Sequence, residues 1–579
     1  MPAGDVNVQS AVHSLDQGTF ATLIKASMFT ALIVVLSLLY LFVQFKGLST
    51  SDAMDQAQIA RRLADGKGFT TGYIRTAALG KILKKNGGAQ VDVASFPDFS
   101  QAPLHPWINS FALGLIKKDW KMTPTDIIYS GDRAVAIMGV LFFLLSVGVW
   151  YFCLARLFDP KLALFTCAAV LLTDLMWSFS LSGLPQMLTL FLFSLAILFT
   201  LFAMESQDRE NTTLMIVWLA AAGLFLGLMT LSHGLAVWIF IGWLIFAALY
   251  FRPMGLVALA ALAAYVLVVS PWLVRNFQVS GNPFGLSIYE AFYNYKPEET
   301  FLRNLDVNPR GSGISLQGKF RANIQDQFAS IAGYLGLNVI AGAFFLSIFH
   351  PFRNRQTFMF KWCVLLMWFS AAVGMAFFKP TDAVSANQFH VLFIPLFAAY
   401  GLAFLFVLWN RLEMGSPIFR TIFISVLLFL CALPMLFRLL ASDSTRIQWP
   451  PYVPPMIGIL GDMYTQDEII CSDMPWAVAW YAQRSSLLLP DTVRTFNRLH
   501  DYNVTQQPIR GLYMTPITGN QRLFSDIYKG AYKEWSPLIT RPPQTKGFPF
   551  SAFVPLPIDN ECILYSDRDR WSQPRANKQ

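Results

Sequence analysis

Apolar residues in this chain fall into long runs separated by polar stretches. From Phe20 to Phe45 a single charge, Lys25, interrupts the run, which is long enough for a bilayer core that needs about 20 residues. Ten further runs follow near 131–155, 161–178, 184–204, 213–231, 234–251, 255–273, 328–349, 358–378, 389–409 and 418–440. The pattern predicts an α-helical polytopic membrane protein with about 11 transmembrane helices. The first run exceeds the roughly 7–15 residues of a signal-peptide apolar region and has no basic segment before it, so it is expected to stay as an anchor.

Three polar regions break the pattern, at 47–130, 274–327 and 442–579. In the first, Ala53, Ala57, Ala60 and Ala64 recur at helical spacing after Asp52, and Gly66 and Gly68 should end that helix. A proline-punctuated strip follows through Phe96-Pro97-Asp98-Phe99 and Gln101-Ala102-Pro103-Leu104-His105-Pro106. Residues Trp107 to Ile116 then read as an amphipathic interfacial helix, with Trp107 and Trp120 at head-group depth. The region 274–327, rich in Asn, Tyr, Gly and charge, reads as a cover over a cleft. The region 442–579 opens on a Trp449-Pro450-Pro451 linker and alternates short apolar runs (468–471, 486–489, 552–554) with helix-like segments. It is expected to form a small α/β domain outside the membrane, leaving 1–441 as the transmembrane module.

Composition agrees. Of 579 residues 55% are hydrophobic and 14% charged, against about 25% charged in soluble domains. Short loops on one side carry Arg156, Lys161, Arg209, Arg252, Arg353, Arg355, Arg411 and Arg420, whereas the other side has little beyond Lys379. The asymmetry predicts a cytoplasmic N-terminus and places all three polar regions outside. A net charge of +9 favours membrane lipids with anionic head groups, and the absence of basic runs with interleaved aromatics argues against nucleic acid. Cys471 and Cys562 share the last polar region, where a disulfide could persist; spacing alone leaves the pairing open. No zinc-type cysteine spacing and no glycine-rich nucleotide fingerprint appear. Asp567-Arg568-Asp569 imitates a metal-binding DxD but lies in a charged terminal segment.

The chemistry concentrates where the first span should leave the bilayer. Asp52 and Asp55 share one helix face at i, i+3. Acids at a membrane edge are costly unless their charge is used. The bland alternative is helix capping, with Asp52 as N-cap and Asp55 as its capping-box partner.

Several segments resemble the GT-C superfamily of integral membrane glycosyltransferases, in the bacterial branch of protein O-mannosyltransferase-like and lipid A aminoarabinose transferase-like proteins. They are Asp52 with Ile59-Ala60-Arg61 and Gly66-Lys67-Gly68-Phe69-Thr70, the strip 101–106, Ser270-Pro271-Trp272-Leu273-Val274-Arg275-Asn276, and Ser472-Asp473-Met474-Pro475-Trp476-Ala477-Val478-Ala479-Trp480-Tyr481. The resemblance implies a GT-C-type bundle with first-loop interfacial helices and a C-terminal periplasmic α/β domain, in the bacterial inner membrane. It also implies a sugar donor on a polyprenyl phosphate, an acceptor that is a glycan, lipid or protein, and a catalytic acid at Asp52 with Asp55 one turn on. Where the family often carries a second acid, this chain has Gln186. Asp174 is the acid left in that loop, so a divalent cation at Asp52 and Asp174 stays open and no cofactor is certain. An attacking hydroxyl needs a base, assigned to Asp52. The leaving phosphate needs positive charge, for which Arg75, Arg275, Lys379 and His390 are candidates. His105 and Asn276 are candidates for acceptor or sugar contact. The rivals are a lipid-linked oligosaccharide ligase, a transporter or flippase, and a non-catalytic assembly partner of the same fold.

Overall fold

The computed structural model describes residues 19–116, 120–292, 301–306, 315–378, 382–412, 417–441, 453–519, 528, 532–540, 547–556 and 562–571, except 124 and 127. It divides into two units, Met1–Phe45 and Lys46–Gln579. The first unit carries the apolar helix Thr19–Leu38, continued by a π-helical turn to Gln44.

Among the described residues, 8 helices are long and apolar enough to cross a membrane. Seven lie in the second unit: Ser130–Leu157, Gln186–Asp208, Thr212–Ser232, Ala258–Ser280, Arg355–Phe377, His390–Arg411 and Ile418–Leu440. Pro160–Leu171 and Asp174–Leu181 form a broken pair bent by 61°, and Ala236–Tyr250 is a shorter apolar helix. The span expected at 328–349 is instead a series of short helices, Ile331–Tyr334, Val339–Gly342 and Phe344–Ser347. Gly336 and Leu337 there take positive φ of 67° and 54°, which no continuous right-handed helix tolerates. Gln186–Asp208 runs through the middle of the bundle, packed against Ser130–Leu157 and Thr212–Ser232.

The polar regions fold together. Six strands, β1 (Tyr73–Ile74), β2 (Ile469–Ser472), β3 (Ser486–Leu488), β4 (Ile509–Met514), β5 (Ala552–Phe553) and β6 (Ile563–Ser566), make one sheet in the order β1-β3-β2-β4-β6-β5. β1 to β4 are parallel, while β6 runs antiparallel to both β4 and β5. One edge strand therefore comes from the region 47–130. The core is equally composite: Ile74, Leu79, Phe96 and Phe99 pack with Leu286 and Phe301 and with Cys471, Leu512 and Trp535. Cys471 and Cys562 are free thiols, and the Cys562 sulfur accepts a hydrogen bond from Tyr513 at 3.3 Å.

A polar clamp ties this layer to the bundle. The π-helical turn Val478–Ala482 ends with carbonyls that lack helical partners. Arg61 caps them, donating to Ala479 O and Trp480 O at 2.7 Å each. Trp480 Nε1 and Tyr481 Oη donate to the buried Asp132, at 2.6 and 2.9 Å. Asp132 stands in the first turn of Ser130–Leu157 and also accepts from Leu48 N at 3.3 Å. Gly131 is required by this approach, since a Cβ there would sit 2.8 Å from the Trp480 ring.

Candidate active site

The clamp fixes the helix Ser51–Ala64, whose residues Ala53 to Arg61 are all buried. Thr50, not Asp52, is its N-cap and accepts from Ala53 N at 3.3 Å. Gly66 and Gly68 follow its end with positive φ. The Asp52 carboxylate is therefore not consumed by capping.

Asp55 is held from three directions. Arg75 Nη2 lies 2.5 Å from Oδ2, Gln101 Nε2 donates to the same oxygen at 2.7 Å, and Gln58 Nε2 donates to Oδ1 at 3.1 Å. Arg75 also meets Asp98 at 3.2 Å and lies 4.1 Å from the centre of the Tyr73 ring. Burial works to lower the Arg75 pKa, but Asp55, Tyr73 and Asp98 outweigh it and raise it. Asp98 shapes the proline strip by accepting from Ser100 N and Gln101 N at 2.9 and 2.8 Å. Its own pKa is raised, chiefly by burial.

Asp52 differs. It is half-buried and enters no ion pair among the described residues. Desolvation and the neighbouring Asp55 charge push its pKa up, against Arg75 and a hydrogen bond from Gln101. A carboxyl with a raised pKa and no bound cation suits proton transfer.

Sequence reasoning missed Glu290. It sits on the short helix Ser287–Phe292, and its pKa is pushed up to about 7 by burial and by Asp52, against Lys319 and a hydrogen bond from Asn387. Lys319 braces that helix, with Nζ donating to Glu290 O at 2.7 Å and Ala291 O at 2.9 Å. Desolvation lowers the Lys319 pKa to about 8, opposed by Glu290. Gly285 makes the approach possible: at φ 59° its Cα lies so close to the strip that a Cβ would come within 1.9 Å of Phe99 O. Glu290 was one acid among many in a stretch without periodicity, so the sequence held no signal for it.

The other candidates are placed as follows. Arg275 donates to the carbonyls of Asp98 and Phe69 and stacks on Trp272, 4.7 Å from the ring centre; it joins a helix end to the proline strip. Asn276 Oδ1 accepts from Arg275 at 3.1 Å. His390 is buried in the bundle, accepting from Trp368 Nε1 at 3.0 Å. His105 is buried against Gln56 and Asn109. Lys379 lies outside the described residues. Asp174 pairs with Arg438 at 3.0 Å. Gln186 donates to the carbonyls of Ser385 and Ala386, contacts that an ionised acid could not make. Asp567 is paired with Arg570 at 2.5 Å. Among the described residues no three His, Cys, Asp or Glu side chains gather as metal ligands.

Bundle and composite sheet together give a fold that solved membrane proteins share. The chain is similar to ArnT from Cupriavidus metallidurans in the apo state, at TM-score 0.53 and 13% identity, over 94% of this chain and 98% of that one. It is also similar to the Archaeoglobus fulgidus oligosaccharyltransferase in complex with Zn and sulfate, at TM-score 0.51 and 13% identity, over 94% of this chain and 74% of that one. No family model matches the chain, and no curated protein matches it.

Proposed function

We propose that this protein is an inverting glycosyltransferase that moves a sugar from a polyprenyl-phosphate donor to a hydroxyl acceptor on the periplasmic face of a bacterial inner membrane. The observation that carries the reading is the division of labour on one helix turn: Asp55 takes Arg75, and Asp52 is left without a cation. Asp52 removes the acceptor proton as its oxygen attacks the anomeric carbon, and the carbon–oxygen bond to the lipid phosphate breaks on the opposite side. A lipid phosphate leaves without protonation if positive charge is near. Lys319 supplies that charge beside the acids, and Lys379 remains a candidate, whereas Arg75 is taken up by Asp55 and Asp98. Arg275 serves the site by holding the strip that carries Gln101.

Asp52→Asn should lower transfer from a polyprenyl-phosphate sugar by about 10²–10⁴-fold without lowering the unfolding midpoint, since the carboxyl it removes is one whose pKa is raised by folding. Turnover at the original rate would remove the base. Mass spectrometry of lipid co-purified with the protein should find a polyprenyl phosphate.

A further inference from the structure

The acids are reached by a line of neutral side chains whose direction can be worked out link by link. Asp55, as a carboxylate, only accepts hydrogen bonds. Gln101 must therefore turn Nε2 toward it, at 2.7 Å. That leaves the Gln101 oxygen as an acceptor, and Gln56 Nε2 meets it at 3.2 Å. The Gln56 oxygen is now the only end left for His105, whose Nδ1 stands 2.6 Å away. The proton must be on Nδ1. Asn109 Nδ2 lies 3.1 Å from Nε2 and 3.5 Å from Nδ1, a placement over the ring face that packs the imidazole without extending the line.

We propose that His105, Gln56 and Gln101 form a one-way hydrogen-bond chain that orients the amide donor facing Asp55 beside Asp52, with His105 a positioning residue locked as its Nδ1–H tautomer. This rests on the proposed function only in taking the two acids as the reacting end. Burial protects the inner links, since Gln56 is 2% exposed and His105 6%, while Gln101 is half-buried. Burial, with a smaller contribution from His233, also pushes the His105 pKa down to about 3, which keeps the ring neutral. Amides do not pass protons along, so the chain sets direction and carries no proton to the acids. Reversing one link would turn the Gln101 carbonyl toward the Asp55 carboxylate.

Two measurements test this. In full-length protein labelled with ¹⁵N-histidine, the chain's 6 histidines can be told apart by the signals lost in His105→Asn. The His105 ring should show the neutral Nδ1–H pattern across roughly pH 5–8; an Nε2–H or imidazolium pattern would overturn the proposal. Gln56→Glu keeps the shape and, assayed at a pH high enough to ionise it, accepts at both ends and forces Gln101 to flip, whereas Gln56→Met leaves Gln101 free to donate. The Glu variant should lose turnover roughly 10- to 100-fold more than the Met variant, at similar donor KM, and equal losses would count against the chain. If Gln56→Glu does not fold, the tautomer decides alone. That readout needs no turnover, so it stands or fails separately from the Asp52→Asn result.

Discussion

At the scale of single residues, identical side chains one turn apart have different lives. Asp55 is paired and held by two amides, while Asp52 keeps a raised pKa beside it. Burial of titratable groups also makes stability depend on pH in opposite senses. The folded pKa of His105 is about 3 against 6.5 when free. Below pH 6.5 the unfolded chain takes a proton that the folded one refuses, so stability falls as pH drops toward 3 and is unaffected by this group above 6.5. Glu290 acts in reverse. Its folded pKa of about 7 against 4.5 means stability falls as pH rises through that window, because the unfolded chain ionises first. Unfolding midpoints in detergent across these windows should show both slopes, flattened at low pH in His105→Asn and at higher pH in Glu290→Gln.

At the scale of elements, the site depends on how short segments are docked. Trp480→Phe removes the 2.6 Å donor to Asp132. Leaving a buried acceptor short of a partner should cost about 1–3 kcal/mol, read as a lower unfolding midpoint. Gly285→Ala puts a Cβ against Phe99 O at a positive φ. The Glu290 segment must then move off the strip, and transfer should fall while the bundle's helical circular dichroism stays. A variant with normal turnover would show that Glu290 need not sit where the structure holds it. Elements were unequally legible in the sequence. The acid-bearing helix, found at Ser51–Ala64, and the amphipathic helix, found at Leu104–Ile116 with Trp107, Phe111 and Leu115 exposed and His105, Asn109 and Leu113 buried, announced themselves by periodicity. The segment 328–349 did not, because its hydropathy is that of a span while the positive φ at Gly336 and Leu337 breaks it into turns.

At the scale of the whole molecule, the polar regions are interdependent. β1 comes from the region 47–130 and pairs with β3 from beyond residue 441, and one core draws on both together with Leu286, Phe301 and Leu305. A fragment 453–579 expressed alone would expose the faces that Ile74, Leu79 and Phe99 cover. Truncating one such buried large side chain costs about 2–5 kcal/mol, so losing several should leave the fragment without a cooperative unfolding transition and open to protease. A sharp thermal transition in that fragment would show the sheet to be self-sufficient.

Hydropathy, a property of each residue's own chemistry, determined by itself that the chain is a multi-span helical protein, where most spans lie, and that Asp52 and Asp55 follow the first one. Which of the two acids would be free was not written there, nor that Arg275 would hold backbone, that Glu290 would arrive beside Asp52, or that His105 would face Gln56. Those outcomes depend on which distant side chains share a buried space, and a partner 20 to more than 200 residues away leaves no periodic trace. Tertiary structure decided them because, once water is excluded, each buried polar group must find its partner in three dimensions.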